Sequence, residues 1–327
     1  MIIKRNRSYQ TLLFVFLFGI TNYTLPKEGV NYYRKIKLKD DVKWKNIVLL
    51  TQAPLIGGIM KHSFILYDPR TFVEKLSLPY TASISSNEGK LLLFSRQNKN
   101  NCNLILWSDK FKKLNAKKFV SNKLMIDTRY YNNCFWELAI NLDDYVLGKT
   151  NNSINGEINN LSENKKIMIS HIQKPPPLRI SLPTFDINKN IYVAFDDTYN
   201  IDVYSELGNK LFSFGIKNFQ NIPISKEEYN YLSDFEKSVA IPEVTLPKLL
   251  KRIQAFANMI LIIREPRPGS NLIFIDFFDK GGQKLKTNKY RIDEMQKLVD
   301  VYILGNNLYA LTNDDNKNTY YLYYFKL

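Results

Sequence analysis

The sequence predicts an all-β protein in which six small sheets stand radially around an axis as a six-bladed β-propeller. Three observations carry that expectation: a composition rich in aromatics, a strand–turn–strand unit that recurs six times, and an N-terminal segment able to complete the last unit. The chain has 327 residues and is 45% hydrophobic, with 21 Tyr and 20 Phe against 13 Gly and 13 Pro. Aromatic side chains fit the half-buried pleated surface of a sheet, so this composition favours strands.

The unit is clearest in "NIYVAFDDTYNIDVYSELGNKLFSFG" at 190 to 215. An apolar strand ends in a polar break, a second ends in an aromatic, and a Gly turn leads to a third. Copies are read at 46 to 52 with 63 to 78, 90 to 96 with 103 to 119, and 144 to 150 with 165 to 182. Two more lie at 258 to 265 with 271 to 288, and at 306 to 314 with 320 to 327. The first strands of these pairs begin at 46, 90, 144, 190, 258 and 306. Four-stranded propeller blades recur at about this period, roughly 40 to 50 residues, with longer spacings absorbed as insertions.

Apolar stretches just upstream supply an innermost strand for each copy: 80 to 85, 135 to 141, 183 to 188, 253 to 257 and 298 to 304, with "VKWK" at 42 to 45 the best offer for the first. The last copy stops after its third strand. "NYYRKIKLKD" at 31 to 40 alternates suitably and is expected to provide the fourth, because joining the termini in one blade removes an exposed edge. Turn chemistry agrees: "ELGNK" and "DKGGQ" place Gly where positive φ is needed, and "DPRT" places Pro after Asp. Tyr67, Trp107, Tyr204 and Phe278 end corresponding strands and are expected to pack between blades.

Ahead of the propeller, expected over 30 to 327, the N-terminus carries Lys4, Arg5 and Arg7 followed by an apolar run at 11 to 20. That order reads as a signal peptide or N-terminal anchor over 1 to 25 and implies export to the periplasm or cell envelope. The run is about half the roughly 20 residues that a spanning helix needs. Net charge is +15, from 46 Lys and Arg against 31 Asp and Glu. This favours anionic partners, but the basic residues are dispersed and no groove-reading motif accompanies them, so nucleic acid is not expected. Membrane contact is expected only through an uncleaved N-terminal anchor. Cys102 and Cys134 could pair in an oxidising compartment or remain buried thiols.

With its strand, Asp-containing turn, aromatic-ended strand, Gly turn and Phe-Gly ending, 190 to 215 resembles the bacterial six-bladed propellers of the NHL-like class. The chain also resembles exported six-bladed propellers of bacterial envelopes, which often insert a helical segment after such a blade. That resemblance implies a helical insertion over 222 to 253, between blades four and five, where Ser225 can cap a helix whose first turn carries Glu227 and Glu228. The chain departs from those relatives in its few glycines and in lacking a lipid-attachment Cys.

In such a ring the residues ending each second strand gather on one face. Here that set supplies Arg96, Lys149, Asp196, Arg264, Glu265 and Asp314 as ligand-binding candidates, beside Gln52, Asp197 and Asp315. Arginine suits carboxylate or phosphate because its planar fork donates two parallel hydrogen bonds. The expected function is non-catalytic binding or scaffolding outside the cytoplasm, with a protein or anionic small ligand on that face and no cofactor. The alternative, drawn from lactonase-like propellers, is a metal-dependent hydrolase or lyase whose axial cation meets Asp196, Glu265 and Asp314. His62 and His171 have no recognisable catalytic partner, and there is no Gly-rich phosphate loop, CxxC or HExxH.

Overall fold

The structure is a computed structural model that describes residues 32–49, 54–60, 63–71, 73–79, 83–87, 90–96, 101–108, 110–140, 153–172, 183–195, 198–216, 250–267, 269–294, 296–314 and 316–327. It is an all-β six-bladed propeller, and among the described residues there is no helix. The first strand is β1 (Arg34–Lys37). Blade one then holds β2 (Lys43–Leu49), β3 (Pro54–Met60), β4 (Ser63–Asp68) and β5 (Val73–Pro79). Blade two holds β6 (Ser83–Asn87), β7 (Lys90–Arg96), β8 (Asn101–Trp107) and β9 (Lys113–Val120). Blade three is β10 (Leu124–Tyr131), β11 (Cys134–Ile140), β12 (Ser153–Asn160) and β13 (Lys165–Ile172).

Blade four is β14 (Pro183–Asn188), β15 (Asn190–Phe195), β16 (Asn200–Ser205) and β17 (Lys210–Gly215). Blade five is β18 (Leu250–Ala255), β19 (Met259–Arg264), β20 (Leu272–Asp279) and β21 (Lys284–Arg291). Blade six contains β22 (Lys297–Leu304), β23 (Asn307–Asp314) and β24 (Thr319–Lys326). Its outer position is occupied by β1, which runs antiparallel to β24 with Arg34 opposite Tyr324 and Lys37 opposite Tyr321.

Six apolar clusters, one per junction between neighbouring blades, form the core. Ile36, Trp44, Ile65, Tyr67 and Leu322 fill the junction of blades six and one, and Leu261, Ile275, Val301 and Phe325 that of five and six. The four aromatics singled out from the sequence all pack at such junctions. Trp44 meets Tyr67 edge-on at 5.4 Å, Phe278 meets Phe214 of blade four at 5.1 Å, Tyr204 lies in the cluster of blades three and four, and Trp107 in that of one and two. Gly282, at φ +84°, must be glycine twice over, since a Cβ there would also sit 2.4 Å from Phe214.

Two blades are shifted by one strand from the sequence expectation. In blade one, "NIVL" belongs to the innermost strand, and the second strand is the glycine-containing "PLIGGIM". Gly57 and Gly58 do not mark a turn: a Cβ at Gly57 would strike the Phe64 ring at 2.4 Å, and one at Gly58 would strike Val42 at 2.5 Å. In blade three, "FWELAI" is the second strand, the innermost is "LMIDTRYY", and the Asn-rich "SINGEINN" is a strand rather than an insertion. The segment 144 to 150 lies outside the described residues. So do 1 to 25, expected as signal or anchor, and all of the expected helical insertion up to 249; its last four residues, 250 to 253, begin strand β18.

Truncating Ile36, which is buried at the junction of blades six and one, tests how much β1 contributes. Ile36→Ala should lower unfolding free energy by about 2–5 kcal/mol, whereas Lys37→Ala, in an exposed pair with Asp40, should change it by less than about 1 kcal/mol. Urea denaturation of both variants measures the difference.

Candidate functional site

The innermost strands line the axis, and four of them share a local irregularity. The register with the second strand slips by one residue between Trp44 and Asn46, Met125 and Asp127, Leu250 and Arg252, and Leu298 and Asp300. A bulge of this kind bends the strand and re-aims the side chain that follows it. In three of the four strands that side chain is charged, and two residues further on stand Arg129, Gln254 and Tyr302. Blade four, without a bulge, presents Asp186.

These groups tie neighbouring inner strands together at four of the six junctions. Arg129 donates to Asp127 Oδ1 at 2.6 Å within its own strand, and across to blade four, to Phe185 O at 3.2 Å and Asp186 Oδ1 at 3.4 Å. Asp186 Oδ2 accepts from the Ala255 N–H of blade five at 2.8 Å. Gln254 donates to Ile303 O at 3.2 Å and accepts the Ile303 N–H at 2.9 Å. Arg252 reaches Asp300 Oδ1 at 2.7 Å, and Asp300 Oδ2 accepts the Ile47 N–H of blade one at 2.8 Å. Bonds therefore run without a break from blade three through four, five and six to blade one.

The electrostatics of these side chains follow from burial and from their charged neighbours. Burial pushes Tyr302 above its ordinary value, Asp186 adds to this, and Arg129 and Arg252 oppose it. Arg129 and Tyr302 stand on the innermost strands of blades three and six, opposite positions of the ring. Arg252 also lies over the Tyr302 ring at 4.8 Å. For Arg129, burial disfavours the charge, but Asp127 and Asp186 outweigh it and hold the guanidinium above its usual value. For Asp186, burial wins over Arg129 and the Ala255 N–H, and its carboxyl is raised.

The face positions expected from the sequence have different fates. Lys149 and Asp196 lie outside the described residues, as do Gln52, Asp197 and Asp315, together with the side chains of both histidines. Arg96 is exposed and donates to the Lys123 carbonyl at 2.6 Å. Arg264 turns inward to grip Asp276 through two nitrogens, at 2.6 and 2.8 Å. Glu265 pairs with Lys251 at 3.6 Å, and Asp314 with Lys317 at 3.5 Å. Cys102 is buried between blades two and three, while Cys134 approaches Glu163 at 3.8 Å. Among the described residues no three His, Cys, Asp or Glu side chains group as metal ligands.

Sequence reasoning missed two buried acid clusters. Asp276, with no exposed side-chain surface, accepts from Arg264, Lys284, Thr287 and the Tyr199 hydroxyl of blade four. Burial disfavours its charge, yet these donors prevail and lower it to about 2. In blade three, the Asn159 amide bridges Glu137 at 2.7 Å and Glu157 at 2.9 Å. Burial, helped by the neighbouring Glu157, pushes Glu137 up; at Glu157 burial is outweighed by Asn159, Lys123 and Lys166, and the carboxyl moves down. An acid amid apolar residues, Asp276 in "LIFIDFFD" and Glu137 in "FWELAI", was the available signal.

No protein-family model matches the chain, and no curated protein matches it. Solved structures do. A member of the DUF4221 family from Bacteroides vulgatus is similar at 10% identity with a TM-score of 0.51, over 89% of this chain and 95% of that one. A subtype N10 neuraminidase-like protein of a strain from the little yellow-shouldered bat has 9% identity and a TM-score of 0.46, over 90% of this chain and 98% of that one. At such identity the likeness concerns the fold alone.

Two measurements probe these clusters. Arg129→Met should cost about 3–5 kcal/mol, because it leaves Asp127 and Asp186 without their cation, and Arg129→Lys should recover only part of this since an ammonium cannot reproduce the planar fork; chemical denaturation reads both. The folded state holds Asp276 below its ordinary 3.8, so its carboxylate stabilises the fold above that pH, and the stabilisation is lost as pH falls through about 2. Wild-type unfolding free energy should therefore drop by about 1–2 kcal/mol from this group between roughly pH 5 and 2. Asp276→Asn, less stable at neutral pH, should show a smaller acid loss.

Proposed function

We propose that this protein is a non-catalytic binding or scaffold propeller working outside the cytoplasm, holding a protein or an anionic small ligand against the face that carries Arg96. The observation behind this reading is the use of charge at the axis. Arg129 and Arg252 are bound to carboxylates of their own or neighbouring blades, so the strongest charges there act as struts. Arg96 differs: its exposed guanidinium has a backbone carbonyl as its bonded partner among the described residues, and its remaining donors suit a carboxylate or phosphate. Export is supported by Lys4, Arg5 and Arg7 preceding the apolar run at 11 to 20. Within the propellers, an NHL-like kinship is supported by the pattern of 190 to 215.

A hydrolase or lyase is the second reading, favoured by Glu137 and Glu157. Two adjacent carboxyls displaced in opposite directions are the arrangement that lets one act as acid and the other as base. The axial-cation version of that reading requires Glu265 and Asp314 to exchange their lysines for a metal.

Thermal-shift titration with inorganic phosphate, citrate and a uronic acid separates the two. Binding on the Arg96 face predicts a Tm gain with at least one of them that Arg96→Ala abolishes, and no gain with Ca²⁺. Turnover of a lactone or uronide that vanishes in Glu137→Gln, or a ligand-induced gain untouched by Arg96→Ala, would overturn the binding proposal.

A further inference from the structure

Among the described residues the outer strand of every blade is a sheet edge, and these edges are basic. β1 reads "RKIK", β9 "KLNAKKFV", β13 "KKIMISHI", β17 "KLFSFG" and β21 "KLKTNKYR"; across all six outer strands the one acidic residue is Glu74 of β5. Most of these edges offset their charge locally. Lys35 pairs with Asp293, Lys166 with Glu157, Lys210 with Asp202, and Lys284 with Asp276.

β9 stands apart. Lys110, Lys112, Lys113, Lys117 and Lys118 fall within nine residues of the edge of blade two, and among the described residues none of the five forms an ion pair. The same edge leaves large apolar side chains in water, with Leu114 52% and Val120 74% exposed. Among the described residues its backbone pairs on one side only, with β8. The Ala116 N–H bonds the Asn115 side chain at 2.8 Å instead of β8, so Ala116 faces outward, and alternation turns the Lys118 N–H and C=O outward as well.

We propose that the β9 edge is a docking site for an extended acidic polypeptide segment, which adds as a fifth strand to blade two. A strand edge supplies a row of main-chain donors and acceptors, and the side chains of an added strand alternate between the two faces of the sheet. Five uncompensated lysines select glutamates and aspartates, while Leu114 and Val120 offer apolar contact between them. The same lysines repel a second copy of this edge, which prevents the self-pairing that an open strand otherwise invites. An acidic strand is favoured over a membrane surface because the outward Lys118 N–H and C=O and the Ala116 C=O, with the Ala116 N–H held by the Asn115 side chain, are spaced for an added strand to take up, a spacing that a fluid lipid headgroup layer does not match.

The test uses the full chain and a fluorescein-labelled octapeptide of alternating Glu and Val, read by fluorescence anisotropy. The wild-type protein should bind it, with affinity falling as salt rises. Ala116→Pro keeps every charge and removes one outward N–H, a change that an edge strand tolerates; it should weaken binding at least tenfold with the melting temperature checked alongside. The triple change Lys113→Glu, Lys117→Glu, Lys118→Glu should abolish it. A peptide N-methylated at alternate residues should fail to bind unaltered protein, which keeps the test independent of variant folding. Failure of the wild-type chain to bind the octapeptide, equal binding of the N-methylated peptide, or capture of phosphatidylglycerol vesicles undiminished by Ala116→Pro would each overturn the proposal.

Discussion

The constraint on which the ring depends is that neighbouring blades cannot join their backbones by a ladder. Each sheet has four strands with its own register, and adjacent sheets meet face to face. Near the axis the inner strands come close without pairing, and side chains make the junction instead. Asp186 accepting from Ala255, Gln254 exchanging both its bonds with Ile303, and Asp300 accepting from Ile47 do for the ring what strand pairing does inside a blade. Each tie joins a side chain to a backbone group one blade away, so it fixes the angle between blades as well as their distance. Buried charge is costly unless paired and hydrogen-bonded. The arginines supply that pairing, and the bulges place the charged residues where they can reach.

Further from the axis the blades diverge and the junctions become apolar. The third strands contribute Tyr67, Tyr204, Phe278 and Phe325 to these junctions, and the innermost strands add Trp44 and Phe185 beside isoleucine and valine. A polar element interrupts this layer between blades four and five. The Tyr199 hydroxyl of blade four bonds Asp276 of blade five, and Asp276 in turn fixes Arg264. Here the carboxylate is surrounded by donors from two strands of its own blade and a loop of blade four, the condition under which a buried charge stabilises rather than weakens a junction.

Much of this was readable in the sequence wherever local chemistry and burial pointed the same way. In blade four, alternation sets the strands, Gly208 at φ +89° sets the turn, and the closing Phe-Gly is needed because a Cβ at Gly215 would lie 2.0 Å from Tyr199 O. Blades one and three were displaced by one strand where those levels disagree. Gly57 and Gly58 resemble a turn but are there to let Phe64 and Trp44 approach, and "LMIDTRYY" loses its apolar rhythm because Asp127 and Arg129 face the axis. The site suffered likewise: strand ends were sought because loops carry function, whereas the axial charges sit mid-strand. Their signal was present as Met-Ile-Asp, Leu-Lys-Arg and Leu-Val-Asp at 125, 250 and 298. A charge two residues after an apolar one, at equivalent places in three repeats, is a pattern that only the correct blade register makes visible.

Charge in this molecule is sorted by radius, and the sorting links stability to recognition. At the axis, acids and arginines occur together and cancel, because a low-dielectric space enforces neutrality through the cost of an unpaired ion. At the edges water screens each charge, so lysines can accumulate there at little cost to the fold. Outer strands must also resist pairing with other copies of themselves, and like charge along an open edge provides that resistance. The same repulsion defines what such an edge accepts. A strand of opposite charge meets no barrier there and finds hydrogen-bonding groups already held in extended geometry, so protection against self-association and selection of an acidic partner arise from one arrangement of lysines.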